Sequence, residues 1–229
     1  MPMLAIFYCA IAVGGPFLAL AYYHQLLYSV LSPVYLSLSL FLLINALICT
    51  WEMTLFISRK LIKKQYDELR KKYGKDKLPS PLFLFDHVAF TDAVSMQWWS
   101  WVWSTYSLLD PSYSDQTTFG FFVDVGNGFL TFLPTLHLLA SLTFDLPAPL
   151  NISPRILGLV NACFFWQELE GTVLYFSSFF LNDRQRGKSA ASIAVVIIAN
   201  GIWVAGPALG LYCCWEMVQS NTLDVVRLS

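Results

Sequence analysis

The chain has 229 residues and a net charge of −1, and it is 56% hydrophobic but only 13% charged, with a mean hydropathy of +0.56. Soluble domains are about a quarter charged, so this composition excludes an ordinary soluble domain and points to the membrane class. Nine of the 14 Lys and Arg lie between Arg59 and Lys77, which leaves no basic surface elsewhere and argues against a nucleic-acid partner.

The length suits one integral membrane domain over residues 1–229. The expected fold is an all-α, polytopic helix bundle of about six transmembrane helices at ~20 residues each. The five cysteines, Cys9, Cys49, Cys163, Cys213 and Cys214, sit in apolar stretches without metal-ligand spacing. They read as small hydrophobes.

Residues 4–28 form a continuous apolar stretch that ends at His24 and Gln25. It is too long, and too poor in N-terminal positive charge, for a signal peptide, so it is the first predicted helix. Residues 33–57 form the second, after a Ser32-Pro33 start signal. It carries Asn45 and Glu52; Glu52 fits an interfacial carboxylate solvated by headgroups and a cavity group equally well. Residues 59–80 read as a solvated amphipathic helix, cytosolic by its cationic excess.

Residues 82–106 form a predicted third helix holding Asp86, His87, Thr91 and Asp92, then Trp98, Trp99, Trp101 and Trp103. Such an aromatic run marks a membrane interface or lines a pocket whose π faces stabilise a cation. Residues 107–117 are a short loop. On the fourth helix, residues 118–141, Asp124, Asn127 and Thr131 share one face. A polar stripe there has to face protein or a water-filled cavity. Gly126 and Gly128 allow close helix approach or local unwinding.

The fifth helix, residues 155–181, carries Gln167, Glu168 and Glu170 at mid-depth, and Glu168, Thr172 and Tyr175 recur at i, i+4 and i+7. A polar turn at 182–188 leads to the sixth helix, residues 190–217, where Asn200 and Trp203 lie one turn apart. The tail to Ser229 is expected to be mobile. Six crossings put both termini in the cytosol, with the Asn151-Ile152-Ser153 glycosylation sequon, which Pro154 follows. The Arg184, Arg186, Lys188 turn then falls on the lumenal side.

The polar groups expected inside the membrane are Asp86, His87, Asp92, Asp124, Asn127, Glu168, Glu170 and Asn200, with no Lys or Arg among them. For any one of them, tying helices together is the plainer role. So many in four helices point further, because each costs ~2.5 kcal/mol or more if charged. A carboxyl group in low dielectric favours its protonated form, and beside a His or a second carboxyl it makes a proton donor–acceptor pair. Lined by Trp and Tyr, that pair suits a carbocation reaction. The acid protonates an alkene or epoxide, the rings stabilise the cation, and a base removes a different proton. No Gly-rich phosphate loop, zinc-ligand pattern or Gly-x-Ser-x-Gly elbow is present.

Three motifs occur in order. They are Trp103-x-x-Tyr106-x-x-x-Asp110-x-x-Tyr113 followed by Asp124; Gln167-x-x-x-Gly171-x-x-x-Tyr175-Phe176; and Asn200-x-x-Trp203 with Pro207 following. In these the chain resembles the emopamil-binding-protein (EXPERA) family, which includes the sterol Δ8–Δ7 isomerase and sigma-2-receptor-type sterol-binding proteins. The resemblance implies a five-helix core preceded by an extra N-terminal helix, with the matching motifs spread over about 82–217, in the endoplasmic reticulum membrane. The implied partners are a sterol or terpenoid ligand and the lipid bilayer, with a homodimer as a candidate assembly.

The isomerases carry a His and a Glu one turn apart before the Trp-x-x-Tyr element. Here Thr91 follows His87 at that spacing, with Asp92 next, and the helical carboxylate is Asp124 rather than Glu. The reading is an isomerase that shifts a double bond or opens an epoxide, with Asp124 and Asp92 as acid and base and His87 as relay. Asn200 would orient the intermediate and Trp203 and Tyr106 face the cation, with Asn127, Glu168 and Tyr175 also binding substrate. This chemistry calls for no metal and no cofactor. The alternatives are a non-catalytic sterol or lipid binder and a membrane terpene cyclase. For the latter, Trp51-Glu52 after Asn45 is similar to the helix carboxylate of the fungal cyclases.

Overall fold

A computed structural model describes residues 2–73 and 83–228. A two-residue strand β1 (Met3–Leu4) leads into α1 (Ala5–Tyr28), α2 (Pro33–Ile57) and α3 (Arg59–Tyr73). Strand β2 (His87–Val88), α4 (Phe90–Ala93) and α5 (Met96–Tyr106) follow. Then come a 3-10 turn at Pro111–Tyr113, α6 (Phe119–Leu130), α7 (Phe132–Thr143), α8 (Pro154–Leu181), α9 (Ala190–Ser220) and α10 (Asp224–Arg227). The fold is all-α apart from the antiparallel β1–β2 pair, which sets Met3 opposite Val88 and Leu4 opposite His87.

Among the described residues α1, α2 and α9 are long and apolar enough to cross a membrane, and the bent α6–α7 pair makes a fourth if it is one span. The protein is a helical membrane protein. α8 has the length, 28 residues, but its Gln167-Glu168-Leu169-Glu170 run makes it less apolar.

The local signals behave as their chemistry dictates. Ser32 caps α2, its Oγ accepting the Tyr35 N–H at 3.0 Å, with Pro33 in the first turn. Ser95 caps α5 in the same way, accepting from Trp98 N at 3.1 Å. The cap marks a departure from expectation. In place of one helix over 82–106, the described part of that stretch is a 3-10 turn, β2, α4 and an 11-residue α5. At 1.5 Å per residue α5 is about half the length a span needs. Of the predicted helix 59–80, residues 59–73 form α3, and the remainder lies outside the described residues.

The chain packs as two compact units. The first takes Met1–Ile11, Cys49–Phe129 and Leu174–Asn200, and the second Ala12–Ile48, Leu130–Val173 and Gly201–Ser229. In the first, the core joins Leu55, Ile62, Tyr106, Leu109, Tyr113, Phe121, Tyr175, Phe179 and Val196. In the second, Tyr35, Leu38, Phe41, Leu42, Leu138, Leu142, Phe165, Cys213, Cys214, Met217 and Val226 pack together.

α9 approaches its neighbours through glycine. A Cβ on Gly206 would overlap the Phe41 ring, and one on Gly210 would sit 2.6 Å from Phe165. The C-terminal segment is docked, contrary to the mobility expected of a tail. Val226 is fully buried. Arg227 donates to the carbonyls of Ser141 at 2.8 Å and Leu142 at 3.2 Å, placing a cation at the C-terminal end of α7. It also pairs with Asp145 at 3.3 Å.

Gly206→Ala is expected to lower stability by about 1–3 kcal/mol, because the Phe41 ring has to move. Gly14→Ala, with nothing within 4 Å of the added Cβ, should leave stability unchanged or slightly raise it, since alanine is the better helix former. Thermal unfolding of the two variants in one detergent checks the contrast.

Candidate functional site

The first unit holds a buried polar and aromatic cluster assembled from α5, the loop after it, α6, the end of α8 and α9. Its centre is Asp110, which is fully buried. Locally Asp110 caps the 3-10 turn, its Oδ1 accepting from Ser112 N at 3.0 Å. Its other oxygen, Oδ2, accepts from the Tyr175 hydroxyl at 2.8 Å. The Arg184 guanidinium completes the set, 3.5 Å from Oδ1.

Arg184 is delivered by the turn that ends α8. Asp183 takes the left-handed conformation at φ 54°. The N–H groups of Asp183 and Arg184 then close on the carbonyls of Phe180 and Phe179 at 3.1 Å each, a Schellman-type stop. Lys188, beyond the turn, has its ammonium lowered by burial, and nearby Asp110 partly offsets that.

Around Asp110 stand four rings. Trp103 and Tyr113 lie 5.3 Å apart by centroids, Tyr106 and Tyr113 5.2 Å, and Tyr113 and Tyr175 6.1 Å. Trp103 is fixed by its indole N–H donating to Trp51 O at 2.9 Å. Asn200 Nδ2 donates to the Tyr106 hydroxyl at 3.3 Å and to Val196 O at 2.8 Å. Half-buried Asp124 sits beside the Tyr113 hydroxyl. Burial raises the Tyr113 phenol well above its usual range, so Tyr113 stays a neutral donor at physiological pH.

The predicted site residues therefore divide. Asp124, Tyr106, Tyr175 and Asn200 come together here, with Asp110, Tyr113, Trp103 and Arg184 added by the structure. Asn127, one turn on from Asp124, donates to Glu52 Oε2 at 2.8 Å, and Glu52 is buried. Gly128 permits that approach, since a Cβ there would meet Glu52 Cβ and Met53 N at 2.9 Å. Gly126 faces open space. His87 on β2 and Asp92 on α4 are exposed, because the stretch that carries them is not a buried helix. Neither is among the groups packed round Asp124.

Glu168 and Trp203 belong to the second unit. Trp203 packs edge-on against Phe41 at 5.5 Å. Glu168 Oε1 accepts from Asn45 Nδ2 at 2.7 Å, and Asn45 also donates to Thr135 Oγ1 at 3.1 Å. Glu170, one residue from Glu168's neighbour Leu169, is exposed.

Asp110 and Tyr113 were visible to the sequence only as motif positions, and Arg184 only as a charge in a turn. The signal that could have found them is the loop itself. An Asp between aromatic residues in a stretch without Lys or Arg needs a cation from elsewhere in the chain, and the chain offers few.

The loop that carries Asp110 also lies against α3. Leu108 packs with Tyr66 and Leu69 of α3, and Ser104 Oγ donates to Gln65 Oε1 at 2.8 Å. The 182–188 turn, through Arg184 and Asp110, therefore lies at the same end of the first unit as α3.

No family model matches the chain, and neither a curated protein nor a solved structure matches it.

Asp110→Ala is expected to cost about 3 kcal/mol or more, because it strands Arg184 and the Tyr175 hydroxyl in a buried site. Tyr175→Phe should cost about 1–2 kcal/mol. The double variant should lose less than the sum, because the two share one network. Unfolding midpoints of the four proteins in detergent give the cycle.

Proposed function

We propose that the protein is a membrane-embedded isomerase that acts on a sterol-like or terpenoid lipid by protonation and deprotonation at carbon. The supporting observation is the position of Asp124. It is a half-buried carboxyl on an apolar helix, beside a neutral Tyr113 hydroxyl and near Tyr106, and those two rings pack with Trp103 and Tyr175.

In this reading Asp124 protonates an alkene or epoxide carbon skeleton, and the Tyr106 and Trp103 π faces stabilise the cation. The carboxylate so formed then removes a different proton, which shifts the double bond and restores the acid. Tyr113 orients the carboxyl, Asn200 holds Tyr106, and Asp110 with Arg184 fixes the frame. The emopamil-binding-protein-like assignment belongs with this proposal. Its support is that residues from all three motif stretches, Trp103 to Asp124, Tyr175, and Asn200, pack in one cluster. Residence in the endoplasmic reticulum follows from that assignment and stands or falls with it. A terpene cyclase running the same protonation is the second reading, favoured by the buried Glu52 that Asn127 holds at 2.8 Å.

The membrane topology we infer has five crossings rather than six. α3 and the 182–188 turn share an end, so an even number of crossings separates them. The α6–α7 pair and α8 supply two, and the stretch 83–106 none. β1, paired with β2, returns the N-terminus to the α3 side after α1 and α2. All the cations from Arg59 to Lys72, with Arg184, Arg186 and Lys188, then face the cytosol, in accord with the positive-inside rule. Asn151 and the C-terminus face the lumen. A glycosylation acceptor appended after Ser229 should be modified in cells; an unmodified acceptor at that end would refute five crossings.

The mechanism is tested with purified protein and its co-purified lipid in D2O. Deuterium is expected at a ligand carbon, and a rise in ring count would identify the cyclase. Asp124→Asn should keep fold and lipid while turnover falls by roughly a hundredfold or more. A folded variant with undiminished turnover removes Asp124 from the chemistry. Bound lipid without deuterium in the wild type establishes a binder.

A further inference from the structure

In the second unit Glu168 is 5% exposed and half satisfied. Oε1 accepts from Asn45 at 2.7 Å, and Oε2 is buried with no hydrogen-bond partner among the described residues. None of the four ion pairs among the described residues involves Glu168. A buried carboxyl oxygen without a partner costs about 1–3 kcal/mol, so a site that keeps one calls for a reason.

The surroundings narrow the occupant. One turn from Asn45, Thr135 and Glu168 lie Phe41, Leu138 and Phe165, all members of one apolar core. On the neighbouring turns stand the buried hydroxyls of Thr131 and Thr172, Thr172 donating to Glu168 O at 2.8 Å. The polar groups thus sit at the edge of an apolar core, as they do where a mostly apolar ligand is held by a few fixed polar groups. Asn45 Nδ2 donates to both Glu168 Oε1 and Thr135 Oγ1, which fixes the cluster and leaves Oε2 as its open acceptor.

We propose that the Glu168–Asn45–Thr135 cluster is the receptor for the hydroxyl group of an otherwise apolar alcohol of the sterol or isoprenoid class. A hydroxyl both donates and accepts, so it completes the open carboxyl oxygen whether or not the carboxyl carries its proton. This rests on the reading that the protein binds a sterol-like or terpenoid lipid, and it names the polar end of that ligand.

The probes are two pairs that differ only by the hydroxyl, cholesterol against cholest-5-ene and farnesol against its deoxy hydrocarbon 2,6,10-trimethyldodeca-2,6,10-triene, titrated into the purified full-length protein in one detergent. At least one alcohol should bind about tenfold more tightly than its hydrocarbon, the worth of one hydrogen bond to a polar group. Glu168→Leu should abolish the preference, and Glu168→Gln should keep it.

Should Glu168→Leu fail to fold, infrared difference spectra serve instead. Adding the preferred alcohol should shift a carboxyl band in the wild type, and the shift should be missing in Glu168→Gln. Equal binding of alcohol and hydrocarbon, no binding of either alcohol, or an unmoved carboxyl band overturns the receptor. A preference without deuterium incorporation keeps the receptor and removes the isomerase, and incorporation without a preference does the reverse.

Discussion

A carboxylate taken out of water has to be surrounded by donors, and Asp110 is where this protein meets that demand most fully. The side chain is wholly inaccessible, yet both oxygens are engaged, by a backbone N–H, a phenol and a guanidinium. Each partner comes from a different stretch, so satisfying one group ties the loop after α5 to the end of α8 and to the turn beyond it. The ring cluster of Trp103, Tyr106, Tyr113 and Tyr175 is held by those ties, and Asp124 is presented against it. Breaking a buried pair leaves an uncompensated charge, which is why the arrangement admits so few alternatives.

The second unit solves a different problem, the close packing of long apolar helices. α9 passes Phe41 and Phe165 at Gly206 and Gly210, where a methyl group would overlap the rings. Contact at that distance recovers dispersion energy that apolar surroundings alone do not supply to membrane helices. The polar residues of this unit follow the same economy. Asn45 serves two acceptors at once, on α7 and α8. Arg227 gathers the last carbonyls of α7 and stacks its guanidinium 4.9 Å from the Tyr28 ring, which turns a terminal segment into a part of the core.

The helices were largely legible. α1, α2 and α9 begin within a residue or so of where hydropathy and the Ser32-Pro33 signal put them, because those signals are carried by neighbouring residues. The stretch 82–106 was not. Its composition, four tryptophans among small and polar residues, reads as a helix in a membrane. The Ser95 cap divides it, and pairing of His87 and Val88 with β1 divides it again. His87 and Asp92 were drawn into the expected site by that continuous helix, and they are exposed once it is broken. The polar turn at 182–188 was legible as a turn, but its side of the membrane depended on how many of the preceding stretches cross.

What the sequence by itself determined is what depends on adjacent residues: membrane class, helix positions, the basic face of α3, and the presence of acids where hydrocarbon is expected. What only the tertiary structure decided is which of those polar groups meet. Asp110 finds Tyr175 across 65 residues and Arg184 across 74, Tyr106 meets Asn200 across 94, and Asn45 meets Glu168 across 123. Hydropathy and helical period act over a few residues. The pairing of buried polar groups is set by which helix faces close on one another, and that is a property of the packed chain.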